Sequence, residues 1–180
     1  MRPRSGKRAL LKSKLQRIKV VALDVDGVLT SGNIQLDGSG NEIKEFNIQD
    51  GLGLVLLAKA GYKTAIISAR KSEAVRVRAR ELKINRVYQG ARPKESAYER
   101  MLRDFKVTSR EVCFVGDDLN DIRVLRRSGF AVAVPAAAVE VRRVVDYVTK
   151  KSGGGGAVRE LAELILKATG KWKGVIEEYC

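Results

Sequence analysis

Apolar and polar positions change period several times along this chain. Val20-Val21-Ala22-Leu23, Thr64-Ala65-Ile66-Ile67, Val112-Cys113-Phe114-Val115 and Ala131-Val132-Ala133-Val134 are short, continuous apolar runs. That is the pattern of strands covered on both faces. Val87-Tyr88 and Tyr147-Val148-Thr149 are shorter runs of the same kind. Between the runs the period lengthens to that of a helix. Leu54 to Ala60 is apolar on most sides and stops at Gly61, a C-cap; Ser72 caps a helix reaching Leu82. Pro93-Lys94 opens a helix with Tyr98, Met101, Leu102 and Phe105 at core spacing. Thr108 to Glu111 reads as a capping box and a brief helical turn, and Gly116 to Asp121 leads into a helix ending near Arg127. Further helices are expected from Pro135 and from Ala157 to Thr169. Asn33–Leu36 and Glu42–Ile48 instead alternate polar with apolar across the turn-rich Asp37-Gly38-Ser39-Gly40-Asn41, a hairpin signal. Strand alternating with helix predicts an α/β fold: a doubly wound, mainly parallel sheet with one β-hairpin insertion.

At 180 residues the chain is long enough for one full core, expected over residues 19–170, between a basic extension at 1–18 and a tail at 171–180. The net charge of +14 is lopsided: residues 1–19 hold eight basic and no acidic side chains, whereas the remainder has 27 basic against 21 acidic. Such an arm attracts nucleic acid or anionic lipid without specificity, so a non-catalytic nucleic-acid or partner-binding protein is the rival class. Leu10, Leu11, Leu15 and Ile18 share helical spacing, which instead suggests a helix docked on the body or on another subunit. An organellar transit peptide is a weaker reading of the same stretch. No apolar run reaches the length of a membrane span, and two distant cysteines, Cys113 in a strand and Cys180 at the end, suggest a reduced cytoplasmic protein. Histidine is absent, which excludes Ser-His-Asp and Cys-His catalysis and leaves acid–base work to carboxylates or lysine.

In doubly wound sheets function gathers at the carboxyl ends of the strands. The first strand exits into Asp24-Val25-Asp26-Gly27, two carboxylates two residues apart before a glycine turn. The second exits at Ser68-Ala69-Arg70, the third leads to Lys94, and the fourth gives Asp117, Asp118 and Asp121. Carboxylates so concentrated suit magnesium, and a lysine with a hydroxyl suits a phosphate. Singly, each has a plain structural reading, such as Asp117 and Asp118 being a helix N-cap pair. A calcium loop does not fit, because Val28 and Leu29 stand where oxygen ligands belong.

With these signatures in order, residues 19–170 resemble the haloacid dehalogenase-like phosphatase superfamily. The resemblance implies that Asp24 is the nucleophile forming an aspartyl-phosphate and that Asp26 is the general acid and base. Ser68 and Lys94 would bind the phosphoryl oxygens. Asp24, the backbone carbonyl of Asp26 and Asp117 would hold Mg2+, with Asp118 and Asp121 orienting metal waters and Lys94. The intervals between signatures are too short for a cap domain, so something else must cover the site. Gly32-Asn33-Ile34, Gly38 to Phe46, Asp50-Gly51-Leu52-Gly53, Ile66 to Arg70, Val87-Tyr88-Gln89-Gly90 and Gly155 to Glu160 further resemble the 3-deoxy-D-manno-octulosonate 8-phosphate phosphatases, enzymes of lipopolysaccharide biosynthesis. That likeness implies a homotetramer in which hairpins associate and a neighbouring subunit helps cover each site. It implies substrate contacts from Asn47, Ile48, Gln49, Asp50, Gly51, Arg70, Arg78 and Lys94, with Asp26. Many members carry arginine where this chain has Gln49 and Val55. A nine-carbon sialic-type sugar acid phosphate, or broad specificity, is therefore the alternative. Arg76 and Arg80 read as a solvated helix face, and Gly153 to Gly156 as a linker, an anion-facing amide loop or a subunit-crossing turn.

Overall fold

The structure, a computed structural model, describes residues 4–179, with side chains from residue 9 onward. Six strands form one parallel sheet: β1 (Val20–Leu23), β4 (Lys63–Ile67), β5 (Arg86–Tyr88), β6 (Val112–Gly116), β7 (Phe130–Ala133) and β8 (Tyr147–Val148), in the order β5-β4-β1-β6-β7-β8. Strand β1 is central, with Val20 in register with both Lys63 and Val112. Strand order runs outward from β1 in both directions, so its exit lies where the sheet's winding reverses. Strands β2 (Gln35–Leu36) and β3 (Glu42–Ile43) form a separate antiparallel hairpin.

The helices are α1 (Arg4–Arg17), α2 (Ile48–Lys59), α3 (Glu73–Glu81), α4 (Lys94–Phe105), α5 (Ile122–Arg127), α6 (Val139–Arg142), α7 (Ala157–Ala168) and α8 (Trp172–Ile176). Side chains alternate across a strand, so β1 feeds both faces. Val21 and Leu23 join Leu54 and Leu57 of α2, Val75 of α3 and Leu161 and Ile165 of α7. Val20 and Ala22 join Tyr98 and Met101 of α4, Val124 of α5 and Val141 of α6. This two-sided burial explains the uninterrupted apolar runs.

Several elements differ from expectation. The hairpin keeps only two paired residues per strand. Helix α2 starts at Ile48, so Asp50 lies in its first turn; the cause is Asn47, whose side chain accepts the Gln49 and Asp50 amides. Ser72 occupies the N-cap of α3 without a side-chain capping bond. Strand β7 begins one residue early, at Phe130, and α6 starts only at Val139, because Val134 and Ala137 are buried and the Ala138 amide donates to the Asp117 carbonyl. In α1, Leu15 is buried, as is Ile18 just past its end, while Leu10 is 62% exposed, so the apolar side runs through Leu11, Leu15 and Ile18 instead. Residues Trp172–Ile176 are helical: Val175 is buried, and Arg159 and Lys167 lie over the Trp172 ring. Cys113 is buried, which pushes its thiol pKa up; Cys180 lies outside the described residues.

Candidate active site

The loop after β1 folds back on itself. The amides of Val28, Leu29 and Thr30 all donate to the Val25 carbonyl, at 3.2, 2.9 and 3.1 Å. Thr30 Oγ1 accepts the Gly27 and Gly32 amides. Gly27 has φ +87°, and an added Cβ would stand 2.0 Å from Asp117 Oδ2. Only glycine combines that backbone with that approach. The turn thereby brings the exit of β1 against the exit of β6.

Asp24 is buried, and its amide donates to the Val115 carbonyl at 2.9 Å. Lys94, buried at the start of α4, reaches Asp24 Oδ2 at 2.9 Å and Asp121 Oδ1 at 2.7 Å. The other Asp121 oxygen accepts the Asp117 and Asp118 amides at 3.1 and 3.3 Å. Asp24, Asp117 and Asp121 each offer an oxygen within 4.8 Å of the others. Burial, then the Asp121 charge, raise the Asp24 carboxyl to about 7 against the opposing pull of Lys94. Burial, then Asp24 and Asp121, raise Asp117 to about 7. Burial opposes the Lys94 ammonium, but the Asp24 and Asp121 charges outweigh it and raise its pKa.

Three carboxylates around one ammonium leave the pocket short of positive charge. Asp117 Oδ1 is buried with no hydrogen-bond partner. Asp121 has both oxygens engaged, so Asp24 and Asp117 are the members free to ligate. An all-oxygen, anionic donor set fits a hard divalent cation. Ser68 is buried at the exit of β4, where its Oγ accepts the Arg70 amide at 3.2 Å. Asp118 is exposed and caps the turn into α5 by accepting the Leu119 amide, the plain reading of that residue.

A parallel doubly wound sheet with a buried carboxylate at the exit of its central strand, a lysine on that carboxylate and an acidic cation site beside it defines a haloacid dehalogenase-like hydrolase. The sequence pattern of that family, described as haloacid dehalogenase-like hydrolase, matches residues 54–129. The chain is 38% identical over 161 residues to the 3-deoxy-D-manno-octulosonate 8-phosphate phosphatase KdsC of Haemophilus influenzae, covering 89% of each chain. It is 40% identical over 159 residues to the enzyme of the same name from Escherichia coli K12, covering 88% of this chain and 85% of that one. A crystal structure of the Moraxella catarrhalis enzyme, in complex with magnesium ion, phosphate ion and KDO, has a TM-score of 0.92 at 40% identity over 94% of this chain and 98% of that chain. The chain belongs to the family of 3-deoxy-D-manno-octulosonate 8-phosphate phosphatases.

Of the residues expected to contact substrate, Lys94 lies in the acidic cluster, paired with Asp24 and Asp121; among the described residues no hydrogen bond or ion pair joins the others to it. Asn47 is the N-cap of α2. Ile48 is 83% exposed, and Gln49 is exposed. Asp50 is buried and accepts the Gly156 and Arg159 amides at 3.1 and 2.8 Å, so it caps α7. Gly51 faces Arg78, whose Nη2 would lie 2.4 Å from an added Cβ. Arg78 pairs with Glu81 at 2.8 Å and keeps a buried, unpartnered Nε, while Arg70 pairs with Glu42 at 2.5 Å.

Three features escaped sequence reasoning. Lys44, from the hairpin, reaches Asp26 Oδ1 at 2.5 Å. Asp50 bridges α2 and α7. The glycine run is no free linker: the Gly154 amide donates to the Val28 carbonyl at 3.0 Å, and a Cβ on Gly153 would lie 1.8 Å from the Gly27 carbonyl oxygen. The contact with Gly27 was signalled by adjacent glycines; nothing in the sequence marked the other two.

Proposed function

We propose that the chain hydrolyses 3-deoxy-D-manno-octulosonate 8-phosphate to the free sugar acid and phosphate, with magnesium as its metal. The carrying observation is Asp24, buried in contact with Lys94 and within 4.8 Å of Asp117 and Asp121 at the exit of the central strand. The substrate follows from the relatives' names. Asp24 attacks phosphorus as the ester P–O bond breaks, and Asp26 passes its proton to the departing oxygen. Asp26 then takes a proton from water, which attacks the aspartyl-phosphate and releases Asp24. Lys94 and Ser68 bind the phosphoryl oxygens as charge builds on them. Asp24, the Asp26 carbonyl and Asp117 would hold magnesium, which would supply the positive charge that lets one anion approach another. Asp118 and Asp121 would orient its waters and Lys94.

A neighbouring subunit completes the substrate site in this reading. Ile34, Leu36 and Ile43 of the hairpin are 58%, 62% and 53% exposed, and Ile48 follows at 83%. Four large exposed apolar residues on and after one insertion suit burial against copies of the chain in a homotetramer. Asn47, Ile48, Gln49, Arg70 and Arg78 would then meet the sugar acid across that interface. The catalytic unit is residues 19–170, acting in the cytoplasm; no described helix is long and apolar enough to cross a membrane. Gln49 and Val55, both uncharged, favour one second reading, a nine-carbon sialic-type acid phosphate or a broader range.

Phosphate release, measured with magnesium across a panel of sugar phosphates, tests the assignment. Fastest turnover of the eight-carbon acid is expected, and preference for a nine-carbon acid selects the second reading. No release from any ester, or an Asp24→Asn variant as fast as wild type, overturns both.

A further inference from the structure

We infer that Lys44 is a positioning residue for Asp26, tying one carboxylate oxygen and so holding the side chain in one orientation for proton transfer. The inference rests on Asp26 being the acid and base. The side chain of Lys44 is 2% exposed, although it comes from a surface hairpin with solvent on most sides. Lysine is seldom buried so fully unless paired, because desolvating an ammonium is expensive. Its Nζ lies 2.5 Å from Asp26 Oδ1 and 3.2 Å from Glu42 Oε1, and that same Glu42 oxygen takes Arg70 Nη2 at 2.5 Å. Asp26, Lys44, Glu42 and Arg70 form an alternating chain of charges running from the exit of β1, through the hairpin, to the exit of β4.

The consequence for proton transfer is specific. With the Lys44 ammonium on Oδ1, Oδ2 is the oxygen left to face substrate or water. A plain fastening of the hairpin would use the same contacts but would affect all substrates alike.

Leaving-group dependence separates the two roles. A sugar-acid phosphate expels an alkoxide that needs a proton, whereas p-nitrophenyl phosphate expels an anion that is stable without one. Full-length wild type, Lys44→Met and Lys44→Arg are compared on both esters with magnesium. In Lys44→Met, kcat on the sugar ester is expected to fall ~10–100-fold. The fall on p-nitrophenyl phosphate should be several-fold smaller, with KM held on both, and Lys44→Arg should recover most of the loss. Equal falls on the two esters, or none on the sugar ester, overturn the inference. If Lys44→Met aggregates, Lys44→Gln, which keeps a donor without the charge, is judged by the same ratio. Wild type hydrolysing neither ester would defeat the phosphatase assignment, a failure distinct from that of the lysine.

Discussion

Gly27 shows how little room the loop after β1 leaves. Its φ of +87° and the 2.0 Å separation between a hypothetical Cβ and Asp117 Oδ2 act against the same substitution. Gly27→Ala is expected to cost about 1–3 kcal/mol in stability. It should also weaken magnesium binding, because Asp117 must move, and thermal unfolding with and without the metal reads both effects. Lys94 has a different exposure to mutation. Removing its ammonium leaves Asp24 and Asp121 facing each other without compensation. Lys94→Ala is therefore expected to lose about 3–5 kcal/mol, typical of breaking a buried pair, together with activity. A variant as stable as wild type in denaturant melts would contradict that account.

Helices α2 and α7 depend on one side chain. Asp50 gives both oxygens to the first amides of α7, where the helix dipole favours an anion. Burial holds its carboxyl above the ordinary value despite the amides, so the position is maintained at some cost in solvation. Asp50→Ala leaves two amides without partners, each worth about 1–3 kcal/mol when buried. The expected result is an early melt accompanied by lost hydrogen-exchange protection at residues 153–160. Because Gly153 and Gly154 pack on the Gly27–Thr30 backbone, that loosening should lower kcat as well.

The assembled molecule couples charge to stability. Asp24 and Asp117 both rise from an ordinary 3.8 to about 7. A carboxyl raised on folding stabilises the native state fully below its unfolded value, and that contribution is lost as pH climbs through its folded value. The metal-free protein should therefore lose stability between about pH 4 and pH 7 through these two groups. Magnesium binds their ionised forms, so it competes with protons below pH 7. Thermal shift with magnesium is expected to be small at pH 5 and large at pH 8; equal shifts would refute the linkage. The hairpin carries the other global consequence. Under the proposed homotetramer, Leu36→Lys with Ile43→Lys should leave each chain folded but smaller in sedimentation velocity; unchanged sedimentation would count against hairpin-mediated assembly.

The chain's order of residues was enough for the alternating elements and for the acids, serine and lysine at the strand exits. Both are local signals: apolar period reports burial, and reactive side chains directly after an apolar run sit at the carboxyl edge of the sheet. Even the helix start at Asn47 carries a local capping signal, its side chain accepting the Gln49 and Asp50 amides. Lys44 and Asp50 were a different matter. Lys44 meets a carboxylate 18 positions earlier, and Asp50 meets amides 106 and 109 positions later. Charged residues in a hairpin and at a helix start ordinarily face water, and no spacing rule distinguishes these two. Their partners are set by how the hairpin and α7 pack around the exit of β1, so only the folded chain assigns them a task.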